Sequence, residues 1–129
     1  MAVREILFRG KSLFQNEWVY GSRLLGVDYF GNNVTYIYPD NTKIDSRSSI
    51  GNYEGQQVYS NTVCQWTGLV DKNGVKIFEG DVMHNAGNVV EYCFGSFCIN
   101  GDSPLSFWTG TEVIGDIYNN PELVKPVSE

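Results

Sequence analysis

The C-terminal half of this sequence contains almost no basic residues. Between residues 77 and 129 there is one lysine, Lys125, against eight aspartates or glutamates, whereas residues 1 to 76 hold eight basic and seven acidic residues. Nonspecific affinity for nucleic acid depends on lysine and arginine displacing counterions from phosphates, so the acidic half makes nucleic acid an unlikely natural partner. Any contact with a polyanion would have to use four dispersed basic residues near the N-terminus: Arg4, Arg9, Lys11 and Arg23. Dispersed charges of this kind are typical of a solvated surface.

The sequence also lacks a long apolar segment. Charged residues interrupt the N-terminal stretch MAVREILFRG, and no run approaches the roughly 20 apolar residues of a membrane span. There are three cysteines, an odd number without a dense framework, which suits a reducing compartment. We therefore expect the protein to act in the cytoplasm, with no membrane contact.

Proline is scarce, and the turns depend on glycine. The chain has 14 Gly, 8 Tyr, 7 Phe and 3 Trp against 4 Pro, a composition typical of short strands joined by tight turns. We expect a mainly β protein with minor helix. Its 129 residues fit a single domain, residues 1–129, with two possible lobes at residues 1–62 and 63–129.

The first lobe is predicted to contain two hairpins. Residues 3–9 and 18–25 alternate as strands that pair with each other, and VTYIYPDNTKID supplies a strand, a turn and a short return. Residues Ser46 to Thr62 are polar and show no period, with one short strand possible at QQVYS. This long surface connection is either a functional loop or a linker between two sheets, and the sequence leaves both readings open.

The second lobe shows turn signals every 8 to 12 residues. The turn DKNG joins CQWTGLV to VKIFEGDVM, a turn at Gly95-Ser96 joins VVEYCF to FCIN, and SFWTGTEVIGDI follows. About five short strands with this spacing predict a small SH3-like barrel packed with the first lobe, because closure removes exposed edges. The ending NNPELVKP predicts one helical turn, with Asn120 as its cap, Pro121 in its first turn and Pro126 after it.

Few residues are candidates for chemistry. His84 is the single histidine, it lies in the turn HNAGN, and no nucleophile motif accompanies it. Glu79 and Asp81 flank Gly80, which would place both carboxylates on one face of a strand, either to share an ion or to hold a neighbouring turn. No glycine-rich phosphate loop is present. We assign no catalytic, cofactor or metal residue.

Cys93 and Cys98 flank the predicted turn and would lie directly opposite each other on neighbouring strands. The default interpretation is two small buried side chains, and whether they pair stays open. The aromatic residues are predicted to fill the core and interfaces rather than to stack bases, because no basic stripe lies between them. They are Trp18, Tyr20, Tyr36, Tyr38, Trp66, Phe94, Phe97, Phe107 and Trp108.

Three segments resemble the YopX family of bacteriophage and prophage proteins. They are QWTGLVDKNGVKIFEGDVM at Gln65 to Met83, the opening ILFRGK with WVYGS, and the closing EVIGDIYNNPEL. The likeness is weak between Val27 and Thr62. It departs from the family pattern just before Gln65, where YSNTV and Cys64 stand. The family-motif positions, with no assigned role, are Gln65, Gly68, Asp71, Gly74, Gly80 and Asp81, followed by Leu69, Gly115, Asn120 and Pro121.

The resemblance implies a phage or prophage origin and assigns no activity. Most of the matched positions are turn or cap residues, which indicates that they specify the fold. With no catalytic constellation, an acidic C-terminal half and abundant aromatics, we expect a non-catalytic accessory protein that binds itself or a host protein. The alternatives are a small metal-assisted hydrolase using Glu79, Asp81 and His84, and a weak nucleic-acid binder using the N-terminal basic residues.

Overall fold

A computed structural model describes residues 6–39 and 55–124 of the chain. The described residues are mainly β and antiparallel, as predicted, and their helical content is limited to short 3-10 turns. Contacts divide the chain into two compact units, Met1–Gln65 and Trp66–Glu129. No helix in the described ranges has the length and apolarity that crossing a membrane requires.

The first unit is built from antiparallel strands in the order β4-β3-β2-β1-β5. Their bounds are β1 Phe8–Lys11, β2 Trp18–Val27, β3 Asn33–Tyr38, β4 Gln56–Val58 and the first residues of β5 Cys64–Val70. A small core of Val19, Ile37 and Val58 lies against the partly buried Phe8 and Val63. These residues come from four different strands and from the segment just before β5, and their packing makes this face of the sheet the apolar one.

The predicted pairing of the first two strands is confirmed. Phe8 lies opposite Gly21 and Lys11 opposite Trp18, so β1 extends two residues beyond the predicted segment, and residues 3–5 lie outside the described range. Gly21 is required here, because a Cβ would collide with the carbonyl oxygen of Tyr38. At this point β2 stops pairing with β1 and begins pairing with β3.

The second predicted hairpin and the long connection are described only in part. The strand Asn33–Tyr38 is present, but the return strand of VTYIYPDNTKID and residues 46–54 of the connection lie outside the described residues. The short strand expected in QQVYS is present as Gln56–Val58 and pairs with β3. Ser60–Thr62 then form a 3-10 turn before β5.

The second unit contains the rest of β5 and six further strands. These are β6 Lys76–Phe78, β7 Asp81–Met83, β8 Val90–Cys93, β9 Ser96–Ile99, β10 Ser103–Pro104 and β11 Val113–Asp116. They pair as β5 with β6, as β10-β9-β8, and as β7 with β11. Their shared core consists of Ile77, Met83, Val90, Ile99 and Leu105.

The predicted SH3-like barrel is not confirmed, because the described strands of this unit form open antiparallel sheets. The strands β6, β7 and β8 are three or four residues long, and turns follow them at residues 79–80, 84–87 and 94–95. These strands pair in twos and threes, and β7 pairs with the distant β11, so local sequence pattern does not determine whether the sheets close into a barrel. The expected C-terminal helical turn is present at Pro121–Leu123, and Pro126 lies outside the described range.

Candidate functional site

Asp71 is a family-motif residue whose buried carboxylate accepts three backbone hydrogen bonds. One carboxylate oxygen accepts the backbone N–H groups of Asn73 at 2.8 Å and Val75 at 2.9 Å, and the other accepts that of Val113 at 2.9 Å. Burial by itself raises the pKa of this carboxyl group, but the three donors outweigh it and hold the pKa below its ordinary value of 3.8. Asp71 therefore joins the β5–β6 turn to β11.

The motif glycines supply backbone conformations that other residues rarely adopt. Gly68, Gly74 and Gly80 have φ values of 90°, 81° and 84°. Gly68 lies where the β5–β6 register shifts between Trp66 and Val70, and Gly74 ends the turn that Asp71 holds. In that turn only the glycine of the Asn-Gly pair has a positive φ. These positions specify turns and a bulge, as the sequence indicated.

Glu79 and Asp81 do not share one face of a strand, contrary to the prediction. Glu79 lies in the tight turn between β6 and β7, and β7 begins at Asp81. Asp81 is buried, and its carboxylate accepts the backbone N–H of Phe78 at 2.8 Å. The pair is separated because Gly80 reverses the chain between the two residues. For Asp81 the turn-holding alternative matches the contact observed.

His84, unlike Asp81, has an exposed side chain, and the hydrogen bond described for it is made by its backbone. Its side chain is exposed, its φ is 71°, and its backbone N–H donates to the carbonyl oxygen of Glu112 at 2.9 Å. Within residues 6–39 and 55–124, no three His, Cys, Asp or Glu side chains form a group able to hold a metal ion. Glu79, Asp81 and His84 are therefore not brought together as a metal site in the described structure.

Asp116 is a second turn-holding carboxylate, and sequence reasoning missed it. One carboxylate oxygen, Oδ1, accepts the backbone N–H groups of Tyr118 at 2.9 Å and Asn119 at 2.8 Å. Asn120 was predicted to cap the following turn, but its side chain makes no capping hydrogen bond there. Instead, its side-chain oxygen accepts the backbone N–H of Asp116 at 3.2 Å. The available signal was an aspartate at the end of a strand, followed within four residues by two asparagines.

The β8–β9 hairpin turns one residue earlier than predicted. Cys93 lies opposite Ser96, so the two-residue turn is Phe94-Gly95, with φ values of 52° and 88°. Cys93 and Cys98 are consequently diagonal neighbours on one face, with Cα atoms 6.4 Å apart, and the structure joins them by a disulfide. The default of two unpaired side chains does not hold there. The third cysteine, Cys64, is buried.

Phe94 is fully exposed, which excludes it from the core of this chain. A positive φ is unfavourable for phenylalanine, and full exposure gives its ring no burial in return. Phe107, in the 3-10 turn Leu105–Trp108 after Pro104, is also largely exposed, whereas Trp108 packs against the core. Among the described aromatics, Tyr38 does satisfy the expectation of burial.

A second pair of exposed aromatics lies at the tip of the β2–β3 hairpin. Tyr29 and Phe30 are 97% and 84% exposed, and their rings meet edge to face with centroids 5.6 Å apart. Asp28 holds the tip by accepting the backbone N–H groups of Asn32 at 2.8 Å and Phe30 at 2.9 Å. These bonds, that of Asn32 foremost, lower the pKa of Asp28. The exposed rings are therefore presented by an ordered turn.

The three N-terminal basic residues that the structure describes do not form a surface stripe. Arg9 and Lys11 are buried, with the guanidinium carbon and the ammonium nitrogen 4.2 and 5.0 Å from the centroid of the Trp18 ring. Arg23 is exposed and lies over the ring of Phe8 at 4.8 Å. Arg4 lies outside the described residues. Arg9, Lys11 and Arg23 thus each make a cation–π contact with an aromatic ring of the first unit.

Comparison with known proteins gives one family and a structural neighbour. The family described as YopX protein matches the chain over residues 7–125. The crystal structure of protein EF1440 from Enterococcus faecalis is similar, with a TM-score of 0.57 and 22% sequence identity over 95% of this chain and 100% of that chain. No curated protein matches. At this identity the structural neighbour supports the fold alone.

Proposed function

The chain belongs to the YopX family, and from this membership and its surface we propose that it is a non-catalytic phage or prophage accessory protein that binds protein in the host cytoplasm. The observation that carries the proposal is the presence of two ordered turns that hold aromatic rings in solvent. Tyr29 and Phe30 occupy one tip and Phe94 the other. Exposed aromatic residues at rigid positions are typical anchors of protein interfaces.

The contacts of the buried carboxylates support the same proposal. The buried carboxylates Asp71, Asp81 and Asp116 each accept backbone N–H groups of a turn. Such carboxylates stabilise chain reversals, because they satisfy donors that the turn leaves without strand partners. Their hydrogen bonds give the family-motif acids a structural task that does not depend on a substrate.

Charge distribution distinguishes the two units as binding partners. Residues 1–65 hold six basic and six acidic residues, whereas residues 66–129 hold three basic and nine acidic residues. The first unit is neutral and can approach a copy of itself without net repulsion. The second unit favours a partner with a basic surface around an apolar pocket that accepts Phe94.

The test is affinity capture of the tagged full-length protein from bacterial lysate, combined with light scattering of the purified protein. Wild type is compared with Phe94→Ser and with the double variant Tyr29→Ser, Phe30→Ser. These side chains are exposed, so the variants are expected to fold. We expect either a stoichiometric captured protein or self-association, lost on changing one of the tips. A monomer that captures no stoichiometric protein would refute the proposal.

A separate measurement addresses the enzymatic alternative. Purified protein is analysed for bound divalent metal and assayed against a panel of phosphate and glycosyl esters. Hydrolysis that disappears in Asp81→Asn and His84→Ala variants, with folding retained, would replace the binding proposal by the hydrolase hypothesis. Salt-sensitive retention on a DNA column would favour the nucleic-acid alternative in the same way.

A further inference from the structure

The outer part of the β2–β3 hairpin, residues 24–34, is called the arm here. β2 pairs with β1 over Trp18–Gly21 and with β3 over Ser22–Val27, while β4 pairs with β3 over Thr35–Ile37. In the described part of the chain, the two strands of the arm are therefore paired with each other and with no third strand. A two-stranded ribbon is marginal in water by itself.

Over the described residues, no strand pairs with the edge of β2 that faces away from β3, and two apolar residues lie along that edge. Asp28 donates its backbone N–H to the carbonyl oxygen of Asn32 at 2.8 Å, which makes Asp28 and Asn32 a hydrogen-bonded pair. Such pairs alternate along an antiparallel ladder, so Gly26 also bonds inward to Val34. The backbone groups of Leu25 and Val27 consequently point outward, to the edge where a further strand would add.

The apolar area that the arm exposes approaches the area that one partner buries in an interface of standard size. Leu25 and Val27 are 65% and 66% exposed, and Tyr29 and Phe30 are more exposed still. Together they expose roughly 600 Å², if a fully exposed aromatic residue contributes about 200 Å² and the aliphatic residues somewhat less. A stable interface of standard size takes about 800 Å² from each partner. The four side chains supply about three quarters of that area.

Gly26 is the third observation. It does not have a positive φ, and a Cβ added there would meet Tyr36 and Val34 at 3.7 and 3.8 Å, which is ordinary contact. The described fold therefore does not require glycine at this position. A glycine inside a strand often marks a place where another backbone approaches closely.

We propose that the arm pairs with the arm of a second copy of this chain, with β2 antiparallel to β2 across a twofold axis near Gly26. In this register Leu25 of each copy lies opposite Val27 of the other, and Arg23 of each copy lies opposite Tyr29 of the other. Net charge permits the contact, because residues 1–65 are balanced and the arm carries a single charge, at Asp28. The inference rests on the protein-binding role and specifies the partner and the surface.

The decisive experiment is a charge-swap mixture of two full-length variants. One carries Leu25→Lys and Val27→Lys, and the other carries Leu25→Glu and Val27→Glu. Mass is measured by sedimentation or light scattering over about 1 to 100 µM, since association follows concentration. Circular dichroism and thermal unfolding confirm the fold, which is expected to survive because both side chains are exposed. Phe107→Ser, which changes an exposed aromatic side chain outside both hairpin tips, is the control.

We expect wild type and Phe107→Ser to dimerise, each charged variant alone to dissociate at least tenfold more readily, and the mixture to recover the dimer. A monomeric wild type overturns the proposal. Charged variants that dimerise like wild type also overturn it. In that case the chain self-associates through another surface, so the protein-binding function stands and arm pairing does not. A mixture that stays monomeric contradicts arm-to-arm pairing. Capture of a host protein by monomeric wild type supports the function and refutes this partner.

Discussion

Replacing Asp71 by alanine removes the acceptor of three backbone N–H groups at once. Two of these donors, Asn73 and Val75, lie in the β5–β6 turn, and the third, Val113, lies in β11. Asp71 is only 4% exposed, so water cannot fully replace the carboxylate without a change in the local packing. The substitution should therefore destabilise the second unit more than the loss of an ordinary turn residue would.

The expected cost follows from the donors left behind. A hydrogen bond to a charged group contributes about 1.5–3 kcal/mol, and a buried donor left without a partner costs about 1–3 kcal/mol. All three donors are partly buried and regain some hydration, so we take about 1 kcal/mol for each. Asp71→Ala should then lower the free energy of unfolding by about 3 kcal/mol. For a chain of this size, that lowers the melting temperature by about 10 °C.

The assay is urea unfolding at pH 7, followed by tryptophan fluorescence, for Asp71→Ala and Asp71→Asn. The asparagine variant keeps one acceptor oxygen, so it should lie between wild type and the alanine variant. Asp28→Ala is the matched control, because Asp28 makes the same kind of turn at an exposed tip and should affect stability less. An Asp71→Ala variant within about 1 kcal/mol of wild type would refute the reasoning.

The same measurement has a defined pH dependence. The pKa of Asp71 in the folded protein is below 3.8, its ordinary value, so the folded state favours the carboxylate. Its contribution is fully present above the unfolded pKa and is lost as the pH falls through the folded pKa. The stability difference between wild type and Asp71→Ala should be constant above about pH 5 and shrink below pH 3.8. A difference that grows in acid would contradict the assignment.

Three further predictions concern other residues. Gly115→Ala should cost about 1–3 kcal/mol in urea unfolding, because its Cβ would lie 2.6 Å from Oδ1 of Asn120, whereas Gly110→Ala, with open space, should cost little. Thr67→Val should cost about 1–2 kcal/mol, since the buried hydroxyl donates to a backbone carbonyl at 2.7 Å; unchanged stability would argue against that bond. Burial raises the pKa of Tyr38 above 10.0, so Tyr38→Phe should remove tyrosinate absorbance that develops above that pH, and an unchanged titration would refute it.

Local patterns predicted much of the described fold. WVYGS paired with the strand before it, and the DKNG turn formed where aspartate and glycine could reverse the chain. Both predictions depended on neighbours within a few residues, for which turn chemistry and strand alternation are informative. Barrel closure depended on pairing between distant short strands, and local pattern carries little information about that.

The hairpin at Phe94-Gly95 shows why residue detail was harder to predict. Propensity places asparagine, aspartate or glycine in the first position of such a turn, so the sequence favoured Gly95-Ser96. The structure instead gives Phe94 a φ of 52°, which moves the turn by one residue and makes Cys93 a diagonal neighbour of Cys98. A one-residue change of register alters every cross-strand pair.

The exposed surfaces were not predictable from composition. Abundant aromatics indicated core or interface residues, but the sequence could not show that Tyr29, Phe30 and Phe94 occupy turn tips. It also placed Arg9 and Lys11 among dispersed surface charges, whereas both are buried beside Trp18. Burial of a charged side chain depends on which face of the sheet is covered, and that is a property of the tertiary fold.

The three bonds of Asp71 differ greatly in sequence separation, which bears on the order of folding. Asn73 and Val75 are two and four residues away, whereas Val113 is 42 residues away. The turn bonds can form while the rest of the chain is still disordered, but the third requires closure of a long loop. Slower refolding of Asp71→Ala would place the turn in the transition state, and faster unfolding alone would place the carboxylate's contribution after it.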